Sequence, residues 1–187
     1  MNKRIFVFSA VFLLSGAAAQ AEPVVTTETN YYDIQGRTAE ELRNQMHQKS
    51  HHSDGFAHTD WNIRWNYGSE SVSGGYRVSD PRVTMSLVYT YPRWTDEGSA
   101  PWGLQGKWKK FMKALEEHEK GHGKIGMDAV HAVEKALNAL PPVADGRQLE
   151  WKAQAAAQQT LSQYQRKEIE YDRSTEHGMK QGAVLNG

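Results

Sequence analysis

Hydrophobic and polar residues alternate through much of the first half of the chain, with the period of two that half-buried strands show. Val24–Ile34 is rich in Val, Thr and Tyr and stops before Gly36. Alternation is strict over residues 59–67 and again over residues 83–91. Asp80-Pro81 interrupts the returning run, because proline cannot donate a hydrogen bond to a central strand. The pattern predicts an antiparallel meander of three or four strands.

Helical periods dominate the rest of the pattern. Thr38 and Glu41 make a capping box that opens a short helix to about Lys49. Apolar residues recur every three or four positions over residues 103–140, which predicts a long helix or a broken pair. Asp145 can cap a further helix over about 147–169, whose alanine-rich face allows close packing. We therefore expect one α+β domain: an antiparallel sheet of three to four strands, a long helix and a packed C-terminal helix.

The long helix carries the motif His118-Glu119-Lys120-Gly121-His122. Residues four apart lie one turn apart on the same helical face, so two imidazoles at this spacing can reach one metal ion. Glu119 is rotated by roughly 100° from His118, which places its carboxylate beside the metal's open position. This is the pattern of zinc-dependent hydrolases, in which the glutamate is the general base, and it predicts a zincin-like fold.

The residues around the motif favour a buried site. His118 and His122 continue the apolar row of the helix, so both imidazoles should face the core. The alternative is two core histidines that are satisfied by hydrogen bonds. Gly121, Gly123 and Gly126 are unfavourable inside a helix and predict a close neighbour, such as the segment that brings another ligand; a helix break near Gly123 is the alternative.

The N-terminus has the features of a secretory signal peptide. Lys3 and Arg4 precede a short apolar run, and an Ala-x-Ala site predicts cleavage after Ala21, leaving residues 22–187 as a single domain. No later segment is apolar enough to anchor the chain in a membrane. We expect an exported protein, periplasmic or extracellular.

Charge and cysteine content narrow the function classes. Removal of Lys3 and Arg4 leaves 20 basic side chains against 22 acidic ones, a net charge of about −2 that argues against nucleic acid or an anionic membrane as partner. The chain has no cysteine, so disulfides cannot stabilise it. His47, His51, His52 and His58 lack a regular spacing, and we interpret them as a solvated histidine-rich loop in place of a second metal site.

A catalytic zinc ion usually has three protein ligands, so the motif needs one more. Acidic and histidine residues just after the motif diverge from the His118/His122 face or lie two to three turns away. The C-terminal segment offers His177, before Gly178, with Glu176 as a close competitor. Spacing alone does not choose between them.

The sequence resembles a bacterial family of predicted secreted zinc-dependent proteases, catalogued as a domain of unknown function. The resemblance rests on the helix motif, the Trp61/Trp65 strand and three further segments: Tyr32-Asp33-Ile34-Gln35-Gly36-Arg37-Thr38, Tyr171-Asp172 to His177-Gly178, and Gln181-Gly182. It implies secretion, proteolysis of peptide or protein substrates, and His177 as the third ligand.

These observations lead to one main hypothesis. Zn²⁺ bound by His118, His122 and His177 activates water for peptide hydrolysis, with Glu119 as general base. Tyr171 either stabilises the oxyanion or packs against the last helix, and Asp172 either orients a ligand imidazole or is a local cap. The alternative function is a non-enzymatic periplasmic zinc-binding or interaction module whose metal is structural. The sequence does not predict the oligomeric state.

Overall fold

The computed structural model describes residues 22–50 and 55–186. The predicted signal peptide, with its cleavage site, lies outside the described residues, as do His51 and His52 of the predicted histidine-rich loop. The principal elements follow in the order β1 (Val24–Ile34), α1 (Ala39–Lys49), β2 (His58–Val72), β3 (Gly75–Trp94), α2 (Trp102–Asn138) and α3 (Gly146–Thr175). The α+β class predicted from the sequence is therefore confirmed.

The strands of the described residues form one mixed sheet in the order β1-β3-β2. β2 pairs with β3 in antiparallel fashion, from His58 opposite Thr90 to Val72 opposite Gly75. β1 runs parallel to β3 along its whole length. The prediction of a purely antiparallel sheet is wrong, because α1 carries the chain past the central position and the β2–β3 hairpin then inserts β3 beside β1. Alternation reports which face a residue occupies, and it carries no information on strand order.

β3 continues through Asp80-Pro81, so the described sheet has three strands and not four. The register shifts between Asn66 and Gly68, and the two residues Asp80 and Pro81 bulge out opposite the single residue Tyr67. Asp80 has a positive φ of 47°, and Pro81 is buried. A bulge of this kind absorbs a proline without ending the strand, since its extra residue makes no ladder hydrogen bond.

α2 packs between the sheet and α3 and is unbroken over 37 residues. Its glycines allow close contact, because a Cβ on Gly121 would come within 2.1 Å of the Tyr171 hydroxyl and one on Gly123 within 2.0 Å of the Tyr89 hydroxyl. The predicted close neighbour is confirmed, and the predicted alternative of a break near Gly123 is not observed. Gly121 in particular lets the end of α3 approach the histidine motif.

Two clusters of buried side chains flank the motif. One lies where α1 and the ends of β1 and β3 meet the first half of α2, and the other lies between the sheet, the second half of α2 and α3. Their largest fully buried side chains include Phe111, Ile34, Leu42 and Met46 in the first cluster, and Met85, Val130, Val133 and Leu137 in the second. His118 and His122 therefore lie between two packed regions of the same helix.

α3 begins as predicted, because the Asp145 side chain accepts a hydrogen bond from the Gln148 amide. It runs to Thr175, about six residues beyond the predicted end, so Tyr171 and Asp172 are helical. Glu176 and His177 then adopt positive φ angles of 51° and 49°, and Gly178 follows with 81°. This left-handed turn ends the helix and sends the last residues back toward α2. None of the described helices has the length and apolar character needed to cross a membrane.

Candidate metal centre

The two motif histidines lie side by side in the interior. Their fractional exposures are 3% for His118 and 7% for His122, and the ring planes are perpendicular with centroids 4.8 Å apart. Their Nε2 atoms are 3.2 Å from each other. This is the arrangement expected from residues one helical turn apart that point to a common centre.

Asp172 of α3 completes a triangle with the two imidazoles. Its Oδ1 atom lies 3.2 Å from His118 Nε2 and 3.0 Å from His122 Nε2. Two ligand atoms at 2.0–2.1 Å from a tetrahedral zinc ion are separated by about 3.3 Å, so all three sides of the triangle have nearly the required length. This buried group of two histidines and one carboxylate could hold a metal ion.

The outer nitrogens of both rings have partners that fix the proton positions. His122 Nδ1 donates to Glu168 Oε2 at 2.9 Å, because an ionised carboxylate can only accept. His118 Nδ1 lies 2.9 Å from Gln181 Oε1, the amide oxygen, and also donates. In the neutral rings each Nε2 therefore carries a lone pair directed at the Asp172 carboxylate. In this neutral tautomer three electron-rich atoms converge, and either a proton or a metal ion would relieve their repulsion.

The charges around the triangle also favour a cation. Burial lowers the pKa of His122, but the hydrogen bond to Glu168 and the negative charges of Glu168, Asp172 and Glu119 outweigh burial, so the pKa is raised above its usual value. The Glu168 Oε1 atom is buried and has no hydrogen-bond partner among the described residues. A carboxylate oxygen in this position benefits from nearby positive charge.

Glu119 lies beside the triangle and outside it. The Thr59 hydroxyl of β2 donates to Glu119 Oε2 at 2.6 Å. Burial raises the pKa of Glu119, and the Thr59 hydrogen bond and nearby histidines only partly offset this effect. A raised carboxyl pKa brings proton uptake and release closer to neutral pH, as a general base requires.

A cavity of about 180 Å³ opens onto these side chains. It is lined on one side by α2 and α3 and on the other by the chain that leads into β2. The lining includes His118, Glu119, His122, Asp172 and His177. The carboxylate expected to act as base and the group that could bind a metal ion therefore share one polar cavity.

Tyr171 packs on the histidines. Its ring stacks on His118 with centroids 5.0 Å apart and meets the edge of His122 at 4.9 Å. Its hydroxyl donates to the His118 carbonyl oxygen at 3.2 Å and accepts from Gln181 Nε2 at 3.1 Å. Tyr171 belongs to α3 itself, so it packs against the motif of α2 and not against the last helix, and its role at the oxyanion stays a prediction.

His177 and Glu176 lie on the left-handed turn after α3. His177 Nδ1 is 3.5 Å from Asp172 Oδ1, and its side chain is 45% exposed. It is next to the triangle without belonging to the group of three, so His177 as a ligand stays a prediction. Glu176 pairs with Lys180 on the surface. The prediction of a histidine-rich loop is wrong for His47, which lies in α1 and packs on Phe56, and for His58, which begins β2 and pairs with Asp60.

Sequence reasoning missed the parts played by Asp172, Glu168 and Gln181. Asp172 contacts the inner nitrogens, where it could serve as a metal ligand, while Glu168 and Gln181 contact the outer nitrogens. Glu168 and Asp172 are four residues apart, a spacing that places both on one face of α3 once the helix is known to extend to Thr175. No periodic signal marks Gln181, because it lies beyond the helix.

Comparison with known families finds a matching sequence model. The sequence model of DUF922, described as a bacterial protein of unknown function, matches residues 29–178. This range includes the motif, Glu168, Asp172 and His177. No curated protein and no solved structure matches the chain.

Proposed function

We propose a function from the residues of the candidate metal centre, because the family to which the chain belongs, DUF922, is a bacterial family of unknown function. The proposal is an exported zinc-dependent metallopeptidase. Its carrying observation is the triangle of His118 Nε2, His122 Nε2 and Asp172 Oδ1, with Glu119 buried in the same cavity. Two histidines and one carboxylate are a donor set that catalytic zinc sites use, since they leave one position for water.

The chain's own residues supply the rest of the chemistry. When bound, a zinc ion supplies Lewis acidity that makes a water molecule nucleophilic near neutral pH. Glu119 accepts the proton that this water loses and delivers it to the leaving amine. The Thr59 hydroxyl holds Glu119 Oε2, which leaves the other carboxylate oxygen for proton transfer. Glu168 and Gln181 keep the histidine rings in the tautomer that binds metal.

The position of β2 supports a peptide substrate. β2 is an outer strand of the described sheet, and its first residues, His58 and Thr59, line the cavity. A peptide extended along this strand would gain main-chain hydrogen bonds and pass the mouth of the cavity. A small molecule would make no use of the strand edge.

The test combines metal content with turnover of a fluorescently quenched casein substrate. Purified residues 22–187 should contain about one zinc ion and hydrolyse the substrate. Glu119→Gln should keep the zinc and lose at least 100-fold in kcat, because it removes the base and no ligand. Glu117→Gln is the matched control, since Glu117 is exposed on the same helix and pairs only with Lys113 in the described residues. Absence of zinc from the wild type would refute the proposal.

A second candidate function is a zinc-binding or interaction module with a structural metal. The observation that favours it is His177, whose Nδ1 lies 3.5 Å from Asp172 Oδ1, close enough to supply a fourth ligand after a small movement. Four protein ligands would close the site to water. Zinc-loaded wild type that fails to cleave casein or a mixed peptide library, with the Glu119→Gln variant indistinguishable from it, would favour this module.

A further inference from the structure

We propose that Gln181 is a positioning residue of the metal centre, which fixes the tautomer and orientation of His118. The inference rests on the proposed function and adds to it a residue beyond the segment that the family model matches. The neutral imidazole of His118 can carry its proton on either nitrogen. Only the tautomer protonated at Nδ1 leaves Nε2 able to bind an ion beside His122 and Asp172.

Gln181 belongs to a closed circuit of hydrogen bonds. Its amide oxygen accepts from His118 Nδ1 at 2.9 Å, and its amide nitrogen donates to the Tyr171 hydroxyl at 3.1 Å. That hydroxyl donates in turn to the carbonyl oxygen of His118 at 3.2 Å. Each of the three residues thus donates one hydrogen bond and accepts another within the circuit. The Tyr171 bond determines which end of the Gln181 amide faces the imidazole.

The C-terminal segment is anchored so that Gln181 stays in reach. Gly178 lies against His118, where an added Cβ would come within 3.0 Å of the ring. Ala183 and Leu185 are buried in the cluster near α1, and Arg43 of α1 donates to the Leu185 carbonyl oxygen. Gln181 is exposed, but the contacts of the residues before and after it hold this segment against His118. Packing alone does not require an amide at this position.

The outer nitrogens of the two histidine rings have hydrogen-bond partners of different charge. His122 is oriented by the Glu168 carboxylate, while His118 is oriented by the neutral amide of Gln181. A neutral acceptor selects the tautomer without adding another negative charge to a site that already has Glu119, Glu168 and Asp172. Loss of such an outer partner typically costs roughly 10–100-fold in metal affinity.

The first test is zinc affinity of the full mature chain, measured by competition with a chromophoric chelator. Gln181→Leu should lower the affinity about 10–100-fold. Gln181→Glu keeps an acceptor for His118 Nδ1 and should restore affinity to within about threefold of wild type. Gln165→Leu, an exposed glutamine on α3, is the control and should leave affinity unchanged. Equal losses in the Leu and Glu variants would show a merely structural role and overturn the inference.

The second test reads the tautomer directly and needs no metal. Long-range ¹H–¹⁵N spectra of metal-free protein should show a proton on His118 Nδ1 in the wild type and partial loss of that proton in Gln181→Leu. Tyr171→Phe, which frees the Gln181 amide to turn, should give an intermediate mixture even if the Leu variant folds poorly. An unchanged His118 tautomer in these variants overturns the role of Gln181. Failure of wild type to bind zinc would instead refute the proposed function, since the spectra still report on Gln181.

Discussion

At the scale of single residues, the candidate metal centre depends on which histidine nitrogens carry protons. The outer nitrogens of His118 and His122 are committed to acceptors, so their inner nitrogens are acceptors themselves. Asp172 adds a carboxylate oxygen at 3.0–3.2 Å from both. Such a cluster is unfavourable in a low-dielectric interior unless a proton or a metal ion joins it.

Asp172 and His177 can be ranked as ligands by matched substitutions. Asp172→Asn removes the charge with little change in size, and it should lower zinc affinity more than the roughly 10–100-fold loss expected for an outer partner. His177→Ala should lower it less, because His177 lies outside the triangle. Chelator competition on both variants makes the comparison. The reverse ranking would identify His177 as the third ligand, as the family resemblance implies.

The motif residues were predictable because their chemistry is local. Helical spacing alone placed His118 and His122 on one face and Glu119 beside them, and the structure has all three lining one cavity. Asp172 was recognised only as a possible orienting group, since the predicted helix ended near residue 169. A ligand supplied by another helix depends on where that helix ends and how it packs. Neither quantity is encoded in a short window of sequence.

At the scale of elements, the close approach of α2 and α3 matters most. Ala153 and Ala157 of α3 are fully buried and face the second half of α2, which lets the helices pack closely. Farther along, Gly121 leaves room for Tyr171. The two helices must converge there for Asp172 to meet the histidines. The helix interface therefore determines the geometry of the candidate metal site.

Two glycines of α2 provide a matched pair for this idea. Gly121→Ala should destabilise the fold by about 1–3 kcal/mol, because its Cβ would lie 2.1 Å from the Tyr171 hydroxyl. Gly106→Ala should instead stabilise it by up to about 1 kcal/mol, since a Cβ at Gly106 would meet no atom of another part of the described chain within 4 Å and alanine is the better helix former. Urea unfolding monitored by circular dichroism measures both. Equal effects of the two substitutions would contradict a tight contact at Gly121.

The elements themselves were more predictable than their arrangement. β1 was predicted with its observed ends, and the side chains of Thr38 and Asp145 accept the expected N-cap hydrogen bonds. The Glu41 carboxylate accepts from the Arg37 amide in place of the Thr38 amide that a capping box predicts. The parallel pairing of β1 with β3 was not predicted, since strand order depends on long-range contacts. Asp80-Pro81 misled because a bulge and a strand end have the same local signature. Local sequence patterns thus predicted the secondary-structure elements, whereas their arrangement depends on tertiary packing.

At the scale of the whole molecule, the proposed ion would link the last two helices. His118 and His122 come from α2, Asp172 comes from α3, and Gln181 connects the C-terminal segment to the same site. The chain has no cysteine, so no disulfide can make such a link. An ion that binds only the folded chain stabilises it by mass action, about 2.7 kcal/mol at a free concentration 100 times its Kd.

Metal removal should therefore lower the Tm of the wild type, and substitution of a proposed ligand should make the Tm less sensitive to the metal. The Tm of the mature chain should fall on adding a strong chelator and rise again with increasing zinc, because only the folded state has the assembled ligand set. Asp172→Asn should have a Tm much less sensitive to zinc, whereas Asp128→Asn, an exposed substitution on α2, should respond like wild type. Differential scanning fluorimetry over a zinc series gives these curves. A Tm of the wild type that does not change with zinc would mean that the ion, if bound, does not link α2 to α3 in the folded state.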